Sequence, residues 1–340
     1  MSKTSEISVE NELSRRGDGN LIKRLKAIDP RQVGLPLVVV GLTISFSTQS
    51  DVFFTTENWQ NIGLQAAALA CVSFGQAFTI LAAGIDLSVG ATVALVSVAA
   101  ALAMVQWGVA AGIVTGLLTG AAVGFINTIV ITKLRVAPFI ATLAMLSVAS
   151  GLALNISGGI PIVGLPEEFT TLAYKRILGV PVPVVVALLV FVATMFLLRA
   201  TRLGRGIYAV GGNPHAARLS GINSYTTILS TYLICSVLAS LGGLILTARV
   251  ASGQPTLGAD ISLQSVAAVV LGGVSLMGGR GGLVGVATGV AFVTILSNGL
   301  NLVGVSSYTQ LMTIGLAMIV AIAWDQYLSR KWRTRGDVSW

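Results

Sequence analysis

The stretch 87–132, LSVGATVALVSVAAALAMVQWGVAAGIVTGLLTGAAVGFINTIVIT, holds 46 residues without one charge and decides the fold of this chain. A helix needs about 20 residues to cross the hydrocarbon core of a bilayer, so the stretch predicts two transmembrane passes. Trp107 and Gly108 divide it near its middle and supply the turn. A second uncharged stretch, 281–324, predicts another pair of passes with a break at 304–306.

The composition of the whole chain agrees with a membrane protein. Of 340 residues, 54% are hydrophobic and only 10% are charged, and the mean hydropathy is +0.86. Because a soluble domain carries about 25% charged residues, this chain lacks the polar surface that a water-soluble globule needs. These values exclude a soluble enzyme, a disordered chain and a secreted disulfide scaffold.

The same reasoning along the chain predicts an all-α membrane protein with about ten transmembrane helices. The predicted spans are 33–50, 62–83, 89–106, 109–131, 138–157, 181–198, 226–247, 263–279, 283–303 and 308–326. They divide the chain into an N-terminal tail (1–32), a transmembrane domain (33–326) and a C-terminal tail (327–340). A membrane barrel is disfavoured because the apolar runs do not alternate with polar residues.

The basic residues predict the orientation of these spans. With both termini in the cytoplasm, eighteen of the 21 Lys and Arg residues lie on the cytoplasmic side. Only Lys175, Arg176 and Arg249 then lie outside. The net charge of +8 therefore reflects membrane topology and contact with lipid, and no nucleic acid partner is expected.

Two segments repeat one motif, which predicts a duplication. The first motif, Gly84-Ile-Asp-Leu-Ser88, recurs as the second motif, Gly258-Ala-Asp-Ile-Ser262. Equivalent points are five spans apart, an odd number, so halves of about 33–157 and 181–326 are predicted to form a 5+5 inverted repeat. Glycines four residues apart also recur, at 112, 116, 120 and 124 and again at 281, 285 and 289. Such glycines admit a close neighbouring backbone, so spans 4 and 9 are predicted to be closely packed.

Asp86 is the only clear intramembrane charge, and two interpretations of it stay open. Asp86 or Ser88 can cap the helix that follows, or a broken helix can turn its backbone and Asp86 toward a transport pathway. Asp260 and Ser262 carry the same two interpretations near the predicted external face. The candidates for lining a pathway are Asp86, Ser88, Gln65, Gln76, Asn127, Asn298 and Asn301. Amides both donate and accept hydrogen bonds, so as a group they suit a neutral, hydroxyl-rich ligand, although each could instead join neighbouring helices.

The residues that catalysis requires are missing from the sequence. There is one histidine and no Cys/His spacing typical of a metal site, and Cys71 and Cys235 are interpreted as buried core residues. The glycine-rich segment 278–282 lacks the lysine of a phosphate-binding loop and is interpreted as a turn. The chain is therefore predicted to be no enzyme, with no catalytic residue, metal or cofactor of its own.

The longest well-marked loop on the predicted cytoplasmic side is 199–225. Asn213 and Pro214 are typical of a helix start and Gly221 of a helix end, which predicts a helix of about 7 residues. A helix this short is not stable alone in water, so it is expected to dock on a partner or on the rest of the chain. A basic loop held by anionic lipid is the alternative.

Four segments resemble the permeases of ribose/xylose-type bacterial ABC sugar importers. They are 84–90 (GIDLSVG), 211–222 (GGNPHAARLSGI), 267–282 (AAVVLGGVSLMGGRGG) and 298–306 (NGLNLVGVS), and the resemblance runs from about 33 to 326. It implies a multi-pass protein of the bacterial inner membrane that imports a monosaccharide or related polyol. An ATPase-independent carrier or facilitator for a small neutral solute is the alternative.

The resemblance also implies the partners of the chain. They are a second permease subunit, identical or similar, a cytoplasmic ABC ATPase that binds ATP and Mg, and a periplasmic or extracellular sugar-binding protein. The residues that it assigns to ATPase docking are Gly211, Gly212, Asn213, Pro214, His215, Ala216, Ala217, Arg218, Leu219, Ser220 and Gly221.

Overall fold

The computed structural model describes residues 30–306, 308–317, 319–320 and 323. The predicted tail 327–340, most of the predicted tail 1–32 and the end of the predicted span 308–326 lie outside these residues. The described helices are α1 (Pro30–Gln49), α2 (Thr56–Leu81), α3 (Val89–Trp107), α4 (Val109–Thr132), α5 (Pro138–Ser157), α6 (Glu167–Thr170), α7 (Val182–Ala200), α8 (Arg202–Gly212), α9 (Pro214–Leu219), α10 (Ser224–Val250), α11 (Ile261–Leu271), α12 (Leu283–Leu302) and α13 (308–317). A 3-10 turn (Thr171–Ala173) and a hairpin of β1 (Arg176–Ile177) and antiparallel β2 (Val180–Pro181) follow α6.

Seven of the helices in the described part of the chain are long and apolar enough to cross a membrane, which confirms a helical membrane protein. They are α2, α3, α4, α5, α7, α10 and α12. Residues Gly34–Gln49 of α1 and the whole of α11 are apolar but shorter. Each of the ten predicted spans overlaps one of the described helices, while the ten-span count stays a prediction.

The predicted breaks inside the two long uncharged stretches are confirmed. The helix α3 ends at Trp107, and α4 begins one residue after Gly108. Gly108 has φ +88°, a left-handed conformation that glycine adopts without steric cost, so it can reverse the chain between two helices. The second break lies at 303–306, between α12 and α13.

The predicted span 263–279 is wrong at its C-terminal end. The helix α11 stops at Leu271, and its 11 residues cover about 16 Å, roughly half of a 30 Å hydrocarbon core. Gly273 has φ +82°, and the N–H of Val274 donates to the Val269 carbonyl (3.2 Å), a wider turn that closes the helix. Residues 272–282 therefore continue without helical structure, and the predicted turn at 278–282 forms their last part.

The helix α2 is the centre of the bundle. In its most apolar stretch 89% of the residues are buried, against 28% in α4, α5 and α7, and it packs against α7, α10, α11 and α12. Cys71 on α2 and Cys235 on α10 are both free and completely buried, which confirms the prediction that they are core residues.

The two glycine series produce close packing, as predicted, but each against a different neighbour. A β-carbon at Gly124 of α4 would lie 2.6 Å from the Tyr232 carbonyl oxygen of α10. On α12, Gly289 faces the Ala268 carbonyl of α11 even more closely. Both pairs of helices approach backbone to backbone, which only glycine permits.

Candidate functional site

The first motif forms a buried break between α2 and α3. Asp86 and Ser88 are both completely buried. One carboxylate oxygen of Asp86, Oδ1, accepts hydrogen bonds from the Ser88 backbone N–H (2.9 Å) and from the Ser88 hydroxyl. Asp86 therefore satisfies the backbone at the start of α3, while the Ser88 side chain makes no capping bond to α3.

Two further pathway candidates complete this arrangement, which we name the Asp86 cluster (Gln76, Asp86, Ser88 and Asn127). The Asn127 amide donates to the Ser88 hydroxyl (3.0 Å) and, at 3.5 Å, to the second carboxylate oxygen of Asp86. Both polar ends of the Gln76 amide are satisfied when its nitrogen is assigned as donor to the Asp86 carbonyl (3.1 Å) and its oxygen as acceptor from the Asp86 N–H (3.2 Å). All partners of the carboxylate are neutral.

A second polar site is a cleft of about 410 Å³ between α2, α10, α12 and the segment before α11. Gln65 and Asn301 line this cleft, so the structure separates them from the Asp86 cluster. The remaining lining includes three amides, a hydroxyl and both charge signs: Gln254, Gln264, Gln310, Thr256, Arg249 and Asp260. The Gln310 amide donates to the Asn301 side-chain oxygen (2.7 Å), which fixes the orientation of Asn301.

The seventh candidate, Asn298, belongs to neither site. Its amide donates to the Asn58 side-chain oxygen (2.8 Å), and the Asn58 amide donates back (3.0 Å). The Asn58 amide also donates to the Phe53 carbonyl (2.9 Å). This reciprocal pair is buried and joins the start of α2 to α12.

The two repeated motifs contact each other directly. The Ser262 hydroxyl accepts from the Gly90 N–H (2.8 Å) and donates to the Leu87 carbonyl (3.0 Å). The N–H groups in the first turn of a helix have no partner within it. A residue of the second motif therefore caps the helix that the first motif begins, and the contact joins the Asp86 cluster to the segment that lines the cleft.

The segment assigned to docking folds as the sequence predicts. The Asn213 side chain accepts from the N–H groups of His215 (3.0 Å) and Ala216 (2.9 Å) and caps α9, which ends at Leu219 ahead of Gly221. The helix is one residue shorter than predicted. Ala217 is buried, whereas the side chains around it are exposed, and Leu219 is 78% exposed.

A backbone junction connects this segment to α2. Gly211 lies against the Leu81 carbonyl, and the Gly279 N–H donates to that same carbonyl (2.9 Å). Beside them, the Tyr208 hydroxyl donates to the Gly281 carbonyl (2.9 Å). Burial raises the pKa of Tyr208, against an opposing effect of Arg199, so its hydroxyl keeps the proton that this bond needs.

The sequence predicts no structure for residues 158–180, and the predicted pathway residues include only part of the cleft lining. Signals for both were present in the sequence. Lys175 and Arg176 are charged in an apolar chain, and the run 253–257 (GQPTL) is a polar interruption between two apolar helices. Among the described residues, no group of three or more His, Cys, Asp or Glu side chains could hold a metal ion.

The bundle, its polar cleft and the exposed helix α9 define a membrane permease. The chain matches, over residues 58–322, the family described as the permease component of a branched-chain amino acid transport system. It is 42% identical over 294 residues to the ribose import permease RbsC of Escherichia coli K12, covering 85% of this chain and 91% of that one. The Bacillus subtilis ribose permease is 43% identical over 289 residues, covering 84% and 89%.

The D-allose transport permease AlsC of Escherichia coli is 35% identical over 297 residues, covering 86% of this chain and 91% of that one. No solved structure matches the chain. The chain belongs to the family of ABC importer permeases that includes these ribose-type proteins, which are multi-pass proteins of the bacterial inner membrane.

Proposed function

We propose that this chain is the permease subunit of an ABC importer that moves a monosaccharide or related polyol across the inner membrane. ATP hydrolysis then occurs on a separate cytoplasmic ATPase, which binds ATP and Mg. The observation that carries the proposal is the amide-lined cleft in a chain 42% identical to a ribose permease.

The cleft suits a neutral, polyhydroxylated ligand. Its volume of about 410 Å³ lies within the range of small-molecule sites, roughly 300–1,000 Å³. Gln65, Gln264 and Asn301 each offer a donor and an acceptor, which is what a hydroxyl group requires. We assign direct contact with the solute to cleft residues, and we assign the Asp86 cluster the role of holding the break between α2 and α3.

We further propose a ten-span, 5+5 inverted topology with both termini in the cytoplasm. The placement of the two sites along α2 supports this orientation. Gln65, in the first half of α2, lines the cleft, and Leu81, at the end of α2, contacts the segment that leads into α9. A helix rises 1.5 Å per residue, so these points lie about 24 Å apart, close to the thickness of the hydrocarbon core. The cleft then faces outward and α9 faces the cytoplasm, as the basic residues predict.

The helix α9 is proposed to dock on the ATPase. Its exposed side chains and its capped, rigid start fit a helix that is seated on a partner, since six residues have little helical stability of their own. The contact of Gly211 with Leu81 gives a route by which movement of α9 reaches α2. Alternating access follows if that movement, together with a docked sugar-binding protein and a second permease subunit, opens the pathway.

Reconstitution tests this function. The chain is placed in liposomes with the ATPase and the sugar-binding protein of the same importer, and uptake of labelled ribose, allose or galactose is measured. We expect uptake that requires ATP and both partners. Uptake by the chain alone, without nucleotide, would identify a facilitator instead and would refute the proposal.

Two substitutions test the docking assignment. Ala217→Glu places a charge at a buried position of α9, and Gly211→Pro removes an N–H within α8, so both are expected to abolish uptake and its coupled ATPase activity. Insertion into the membrane is expected to remain intact. Normal transport by either variant would show that α9 is not the docking helix.

A further inference from the structure

The tip of the β1–β2 hairpin carries a residue that the stability of the fold does not explain. Its two central residues, Leu178 and Gly179, have φ +52° and +82°. Positive φ at both positions is the signature of a type I′ turn, which strongly favours Asn, Asp or Gly. Leu178 is also 100% exposed, so it gains no burial within this chain. Neither backbone preference nor packing accounts for a leucine here.

The hairpin stands on a rigid base. Phe169 and Ala173, on α6 and the 3-10 turn, are buried against α3 and α10. The Arg176 guanidinium donates to the Gln60 side chain (2.7 Å), and the Val182 N–H donates to the Lys175 carbonyl (2.9 Å). The strained and exposed leucine is therefore presented at a fixed place and does not belong to a loose loop.

The same segment is bonded to the rim of the cleft. The Tyr174 hydroxyl donates to the Arg249 carbonyl (3.1 Å), and Ile162 and Gly253 exchange two backbone hydrogen bonds of 2.8 Å. Arg249 itself lines the cleft, and Gly253 precedes the lining residue Gln254. Whatever contacts the hairpin is thereby held beside the opening of the cleft.

We propose that Leu178 is the apolar contact by which the solute-binding protein docks on this permease, an inference that rests on the proposed function. The partner surface needs an apolar depression for Leu178, bordered by carboxylates that face the exposed Lys175 and Arg176. A few residues near the centre of an interface supply most of its binding energy, and this centre is more apolar than the polar rim around it. The strain at Leu178 then has a functional reason.

Binding of the partner to the permease in lipid nanodiscs tests this assignment. The probe is the solute-binding protein of the same importer, and its Kd is measured for the unchanged chain and for Leu178→Asn, Leu178→Met and Val52→Asn. Asparagine suits the turn but removes the apolar contact. The Kd of the solute-binding protein for the Leu178→Asn variant is therefore expected to rise about tenfold or more. Methionine is expected to keep the affinity. Val52 is an exposed apolar residue of the α1–α2 loop, and Val52→Asn is the matched control without effect.

A fluorescent label at the same position distinguishes a protein from lipid as the occupant. Because Cys71 and Cys235 are buried, a Leu178→Cys variant takes the label at position 178 alone. A blue shift on addition of the binding protein supports the proposal. Quenching by brominated lipid before that addition places the tip in the membrane surface and overturns it.

The outcomes also separate this inference from the proposed function. If the unchanged chain transports and binds its partner, and Leu178→Asn binds equally well, the hairpin assignment fails while the permease function stands. If the unchanged chain binds neither the solute-binding protein nor the ATPase, both fail together.

Discussion

The first motif (84–88) and the second motif (258–262) share a sequence pattern and differ in their environment. Asp86 is completely buried, and its carboxylate accepts hydrogen bonds from neutral partners on two sides. Asp260 is exposed, makes no capping bond to α11 and lines the cleft. The first motif thus forms a buried break in the bundle, whereas the second motif forms a break that is exposed to solvent. The repeated motif in this protein therefore predicts where the backbone breaks. The role of its aspartate depends on the residues that surround it.

The two motifs are nevertheless one structural unit, because Ser262 caps the start of α3. The buried first motif thus holds the exposed second motif in a fixed position. Substitutions on the two sides of this contact separate structural effects from effects on the solute.

The largest loss of stability is expected for Asp86→Leu. Leucine has the same branched side chain but accepts no hydrogen bond, so the Ser88 N–H and hydroxyl lose their acceptor, and each unsatisfied buried donor costs about 1–3 kcal/mol. Thermal unfolding in detergent, followed by size-exclusion chromatography, measures the loss. The control is Asp260→Leu at the exposed motif. Equal melting of the two variants would contradict the contrast between the motifs.

Gly90→Ala is expected to have the next largest effect. Its β-carbon would lie 2.6 Å from both the Gly258 carbonyl oxygen and the Ser262 hydroxyl, so the two motifs must move apart. Overpacking of this kind typically costs about 1–3 kcal/mol. Gly151→Ala is the matched control in α5, where a β-carbon meets nothing within 4 Å. A Gly90→Ala protein as stable as this control would show that the contact is loose.

Ser262→Ala is expected to destabilise the protein by about 1 kcal/mol, because the Gly90 N–H loses its capping oxygen. Ser265→Ala removes a buried hydroxyl of the same helix that bonds only to the Ser262 carbonyl within α11 (2.9 Å), so its loss should be smaller. Urea or thermal titration of both variants gives the comparison. If Ser265→Ala were more destabilising than Ser262→Ala, the hydrogen bond within α11 would contribute more to stability than the one between the motifs.

The smallest effect on stability is expected for Asp260→Asn. Asp260 is exposed and makes no capping bond, so the melting temperature of the variant protein should change by less than about 2 °C. Because Asp260 lines the cleft, the apparent KM for uptake should change by a few-fold while the protein remains fully folded. A large loss of folded protein would mean that both aspartates are structural.

Local chemistry made much of this architecture predictable. The Gly108 break and the Asn213 cap depend on neighbours within a few residues, and both are present. The spacing of the two glycine series predicted close packing, but the helices that pack against them are distant in sequence and were not predicted. The end of α11 was not predicted because residues 272–279 carry no charge, and hydropathy alone does not indicate where a helix ends. The structure of the segment 158–180 could not be predicted because its short elements are held by distant partners such as Gly253 and Gln60.

The pathway candidates show the same limit. Amides in apolar spans were chosen by residue type, and type alone cannot tell a buried pair from a lining residue. Asn298 forms a buried pair with Asn58, whereas Asn301, three residues later in α12, lines the cleft. The division depends on how α2 and α12 face each other, which is a tertiary property.

The junction of Leu81, Gly211 and Gly279 has a mechanical consequence. No side chain lies between these backbones, so nothing there can repack to absorb a small displacement. The junction can therefore act as a pivot and α2 as a lever about 24 Å long from Leu81 to Gln65. A tilt of about 5° at the pivot would shift the far end of that lever by about 2 Å. A shift of that size is enough to break or remake hydrogen bonds to a bound solute, which makes a short stroke sufficient for a change of access.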